Sequence, residues 1–187
     1  MRTAIPDALL MTHSHNDHVK ELPILLNKIM DNKDSTKDLK IFCTHECWDQ
    51  AVGKFPELSN EFNKCNAISF IPVEPNKIFE VGPFSVIPVF ADHGDNSPVG
   101  SVIYIIKLLD KKVVIGWDFL LLPNVNENWL WKPDLLILGT QNYDTHPEIG
   151  MICISDAYSI IIRWNAKECY LVHYSGLQDL RSVKPMV

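Results

Sequence analysis

Short apolar runs alternate with polar connections along this chain, and the spacing inside each run separates strands from helices. Pro6 to Met11 is short and mostly apolar, which predicts a buried strand. From Val19 to Met30 the apolar residues Leu22, Leu25, Leu26, Ile29 and Met30 recur at intervals of three and four, the period of a helix with one buried face. Asp31 to Lys40 is a polar connection, Leu39 to Cys43 a second strand, and His45 to Lys54 a short helix whose end is marked by Gly53 and Pro56. From Ala67 onward the pattern changes to runs separated by Pro, Gly and Asn. Ile68 to Val73, Ile78 to Val81, Phe84 to Phe90, Val102 to Leu109 and Val113 to Ile115 predict antiparallel strands with tight connections. Asp134 to Leu138 is a further strand, Ser155 to Trp164 a helix capped by Ser155, and Glu168 to Val172 a last strand. Strands flanked by helices predict a layered α/β or α+β arrangement.

A chain of 187 residues suits one well-buried domain spanning 1–187. Hydrophobic residues at 47% and charged residues at 21% exclude wholesale disorder. The net charge of -6 argues against nucleic acid, which needs a clustered Lys/Arg surface to displace counterions. Lys37, Lys40, Lys111 and Lys112 read as solvated loop charges, and Trp48, Trp117, Trp129, Trp131 and Trp164 as core or pocket wall. No apolar stretch approaches the roughly twenty residues of a membrane span and no signal core opens the chain, so the expected compartment is the cytoplasm. Five cysteines with no Cys-x-x-Cys spacing predict reduced thiols. Cys43 and Cys47, at a strand end and a helix start, fit buried thiols better than a second metal site.

The chemistry concentrates in Thr12-His13-Ser14-His15-Asn16-Asp17-His18, three imidazoles and a carboxylate between a strand and a helix. Imidazole nitrogen and carboxylate oxygen are the ligands that zinc and similar divalent ions take at short range. Three more donors follow strand-like runs: His93 after Phe84 to Phe90, Asp118 after Val113 to Trp117, and His173 after Cys169 to Val172. Each alone would be an ordinary turn or core residue.

Together, His13-x-His15-x-Asp17-His18 followed by His93, Asp118 and His173 resembles the metallo-β-lactamase superfamily over Ile5 to Asp179. The segments around Phe84 to Pro88, His93, Ser97 to Gly100 and Val113 to Asp118 look most like its cyclic-phosphate phosphodiesterase branch. The resemblance implies an αββα sandwich, a small-molecule substrate and two divalent metal ions, zinc ahead of manganese or iron. It implies His13, His15 and His93 on one ion, Asp17, His18 and His173 on the other, and Asp118 between them. It further implies that the ions share a solvent molecule acidified toward neutrality as the nucleophile, with Asp17 orienting it.

Many members of that branch carry another histidine in a Gly-His stretch, where this chain has Gly150-Met151. Met cannot transfer a proton, so either His146 takes that catalytic role or the function is absent, and a simple turn histidine before Pro147 is the stronger reading of His146. With eleven residues before Thr12 and fourteen after His173, the resemblance also implies that the first N-terminal strands and the last C-terminal strand are missing. Exposed sheet edges would then favour self-association into a homo-oligomer. The leading expectation is a phosphodiester or cyclic-phosphate hydrolase. The alternatives are a lactone, thioester or β-lactam hydrolase, and an impaired relative serving as an interaction module.

Overall fold

The computed structural model describes residues 6–31, 38–56, 67–94, 100–122, 126–143 and 150–173. The chain forms two compact units, 1–74 and 75–187. No helix among the described residues is long and apolar enough to cross a membrane.

In the first unit, β1 (Ala8–Leu10), β2 (Leu39–Cys43) and β3 (Ile68–Pro72) form a sheet in that order, with both pairings parallel. The antiparallel pairing expected for Ile68 onward is corrected here, because β2 and β3 are joined by a crossover that carries a helix and parallel neighbours need such a connection. The helix expected over Val19 to Met30 is two helices, α1 (Asn16–Val19) and α2 (Leu22–Asp31). Pro23 is the reason: it has no N–H for the carbonyl of Val19, so it is tolerated only in the first turn of a new helix. Leu22, Leu26 and Ile29 of α2 and Cys47, Trp48 and Ala51 of α3 (His45–Lys54) bury against Leu39, Ile41 and Cys43 of β2. Thr44 caps α3, its hydroxyl accepting from Cys47 N at 3.2 Å.

In the second unit, β4 (Phe79–Val81), β5 (Phe84–Ala91), β6 (Ser101–Leu108), β7 (Lys111–Gly116), β8 (Leu135–Gly139) and β9 (Glu168–Val172) form one sheet in chain order. Pairings are antiparallel from β4 to β7 and parallel from β7 to β9. The parallel steps are crossovers through α4 (Glu127–Leu130) and α5 (Ile154–Trp164). β5 and β6 are central and nearly continuous in burial, so their apolar runs do not alternate. Ile87, Val89, Ile103, Ile105, Val114, Leu136 and Leu138 form the core, with Leu130, Ala157 and Trp164 packed in from the helices.

Two local expectations change. The strand expected to reach Leu109 ends at Leu108, because Leu109 turns the β6–β7 hairpin with φ 54 and is 95% exposed. The cap of α5 is Cys153 rather than Ser155: its sulfur accepts from Asp156 N, and the Asp156 carboxylate accepts from Cys153 N, a capping box built on a thiol.

Candidate metal centre

Strand direction explains how donors gather in the second unit. β5, β7, β8 and β9 run the same way, because β5 and β7 each lie antiparallel to β6 and β8 and β9 follow β7 in parallel. Residues that follow these strands therefore leave one edge of the sheet. His93 follows β5, Asp118 β7, Thr140 β8 and His173 β9. The Asp118 Oδ2 lies 3.9 Å from His93 Nε2 and 3.5 Å from His173 Nε2, and Asp118 and His93 are each 2% exposed.

Backbone contacts fix these groups. Ser101 Oγ donates to the Asp118 carbonyl, Gly139 N to Trp117 O at 3.1 Å, and Ile152 N to Phe119 O at 2.8 Å. His93 Nδ1 lies 2.7 Å from the carbonyl of Gly150. A carbonyl only accepts, so Nδ1 carries a proton and the ring turns its Nε2 to the side of Asp118. A ring nitrogen and a carboxylate oxygen buried side by side are the donor types that a divalent cation takes. Thr140, 1% exposed, has a hydroxyl with no hydrogen-bond partner among the described residues at the same edge. This donor set fits a divalent ion.

In the first unit the histidine loop leaves β1 and runs into α1. The His13 ring lies 4.7 Å from that of His15 and 4.2 Å from that of His18, and His18 Nε2 is 3.4 Å from Asp17 Oδ2. His13 is buried at 1% exposure and shares a hydrogen bond with Thr12 Oγ1 at 3.1 Å, whereas Asp17 is open to solvent. Ser14, between two of the imidazoles, donates to Gln50 Oε1 at 2.5 Å and accepts from Lys54 Nζ at its carbonyl. Nothing in the sequence marks Gln50 or Lys54, since amphipathic helices carry such residues everywhere. Gly139 and Gly150 did carry a signal, a glycine at a strand end or turn where backbone approaches closely.

Met151 is buried and packs in the interior. His146 lies outside the described residues. None of the four described cysteines is in a disulfide. A hydrogen bond with Cys47 and burial push the Cys43 thiol up, which favours the neutral thiol.

The sheet topology and the donors at strand ends make this a fold with a candidate metal-binding edge. The β-lactamase superfamily domain matches residues 2–174, and the chain belongs to that family. Among solved structures it is similar to the metallo-β-lactamase fold protein YhfI from Bacillus subtilis, at 20% identity and TM-score 0.70, over 90% of this chain and 64% of that one. It is also similar to a diphosphatase from the PhnP family, at 17% identity and TM-score 0.68, over 90% and 60% of the two chains. Yeast PDE1 gives 17% identity and TM-score 0.67, over 89% and 56%. The fold is thus the metallo-β-lactamase fold, and the chain spans about 56–64% of the length of these structures. Among curated proteins, none matches its sequence.

Proposed function

We propose that this protein is a metal-dependent hydrolase acting on a phosphodiester or cyclic phosphate. One observation carries the proposal: the Asp118 carboxylate is buried against the Nε2 atoms of both His93 and His173, an arrangement suited to a cation. The family pattern assigns His13, His15 and His93 to one divalent ion, Asp17, His18 and His173 to a second, and Asp118 to both. Zinc suits imidazole and carboxylate donors, and manganese or iron can take the same set. When bound, such ions polarise a phosphoryl oxygen and offset the charge that develops on it.

The chain's own residues supply the rest. The Gly150 carbonyl holds the proton of His93 on Nδ1 and so frees Nε2 as donor. Asp118 contributes negative charge that a buried site would otherwise lack. Asp17, solvent-exposed at the start of α1, would accept a hydrogen bond from a water activated by the ions. A phosphorus substrate ranks above a carbonyl one because a diphosphatase is among the structures of this fold.

The test is metal analysis of the purified protein alongside turnover of bis-p-nitrophenyl phosphate, a lactone and a thioester. Two ions per chain and phosphodiester cleavage are expected. His15→Ala and Asp118→Ala should lose more than the roughly 10–100-fold typical of changes outside the ligand shell. Full turnover by metal-free protein, or turnover of the carbonyl substrates alone, would overturn the assignment.

A further inference from the structure

We propose that Gln50 and Lys54 are positioning residues that set the spacing of His13 and His15 through Ser14, an inference that rests on the metal-binding reading above. The topology makes the contact natural. β1 and β2 are parallel neighbours, with Leu10 opposite Phe42 and Met11 N bonded to Phe42 O at 3.0 Å. The loop that follows β1 and the helix that follows β2 therefore leave the sheet at the same edge. α3 buries Cys47, Trp48 and Ala51 in the core of this unit, and Gln50 and Lys54, one turn apart on its flank, face the loop.

They grip one residue at two points. The Ser14 hydroxyl donates to Gln50 Oε1 at 2.5 Å, and the Lys54 ammonium donates to the Ser14 carbonyl. Ser14 is 2% exposed and sits between the two imidazoles, so fixing its side chain and its peptide group fixes the rotation of the chain on either side. The Lys54 bond is charge-assisted and stronger than a neutral one. A loop held this way presents its donors in place before an ion arrives, and the ordering cost does not fall on binding. Helix-surface hydrogen bonds that served only α3 would have no reason to converge on the residue between two candidate ligands.

The experiment measures zinc affinity by competition with a chromophoric chelator, together with the visible spectrum of the cobalt-loaded protein. Gln50→Ala and Lys54→Met are each expected to weaken zinc binding about 10–100-fold, as changes behind a ligand commonly do, and to alter the cobalt bands. Gln50→Glu, which keeps the acceptor oxygen, and Lys54→Arg, which keeps the donor charge, should stay within about threefold of the parent. Ser14→Ala and Gln50→Ala combined should cost no more than either alone, because both remove the same bond. Parent-like affinity and spectra in the truncated variants would overturn the inference. So would equal losses in the conservative variants, or additive losses in the pair. A parent chain that binds neither zinc nor cobalt would instead remove the metal-binding reading, and this inference with it.

Discussion

Gly150 is the residue that backs His93. Its φ is 73, and a Cβ added there would stand 2.1 Å from the His93 carbonyl oxygen, backbone that cannot swing aside. Gly139 is equally confined, with a Cβ meeting Trp117 O at 2.1 Å and Asp118 Oδ1 at 3.1 Å. Gly150→Ala should therefore destabilise the fold by about 1–3 kcal/mol and displace His93, read by denaturant unfolding. Gly53, inside α3 with nothing within 4 Å of an added Cβ, is the contrast. Gly53→Ala should stabilise by at most about 0.5 kcal/mol, since alanine is favoured over glycine but the last turn of a helix gains less than its interior. A Gly150→Ala protein as stable as the parent would refute this account of the His93 turn. The histidine loop stood out by residue type and clustering, because imidazole and carboxylate have few other reasons to crowd six positions, whereas His93, Asp118 and His173 became candidates only through the family resemblance. The groups that hold them were not legible, because a backbone carbonyl or a helix-surface glutamine looks the same in any sequence.

At the scale of elements, β2, α3 and β9 follow from the apolar runs with the bounds expected, and other strands differ by a residue or two at their ends. Pairing direction was less legible: a run of apolar residues does not say whether its neighbour is parallel, and only the crossovers decide that. Asp134 ties the far end of the second sheet, with Oδ2 accepting from Lys112 N at 2.9 Å and Oδ1 from Lys167 Nζ at 2.6 Å. The Lys167 bond, then the Lys112 backbone bond, hold its carboxyl at about 2, below the ordinary carboxylate value. A depressed pKa adds stability that is present above the unfolded value near 4 and is lost as pH falls toward 2. Asp134→Asn should thus lower the Tm at pH 7, and the gap from the parent should close between about pH 4 and pH 2. A gap that stays constant across that window would sink the assignment. The capping box of α5 makes its own prediction: Asp156→Ala should cost about 1 kcal/mol, measured by thermal unfolding, and no loss would mean that the box carries nothing.

For the whole molecule, metal and folding are linked by mass action. An ion that binds only the folded chain stabilises it by about 2.7 kcal/mol at a hundredfold excess over its Kd. Zinc should raise the Tm in a concentration-dependent way, and chelation should reverse the rise. A Tm indifferent to zinc would mean that the folded chain gains nothing from the ion. Family membership, drawn from residues 2–174, agrees with the resemblance carried by the His-x-His-x-Asp-His motif.

Sequence alone determined the donor chemistry, the family and most of the elements, because ligand type is a property of the side chain and periodicity a property of neighbours along the chain. Tertiary structure decided which strand ends share an edge, that Gly150 sets the tautomer of His93, that Pro23 splits a helix in two, and that Gln50 and Lys54 reach Ser14. Those contacts join residues 36 to 57 positions apart for the serine and histidine bonds, and no local pattern encodes which of many similar groups will meet across that distance.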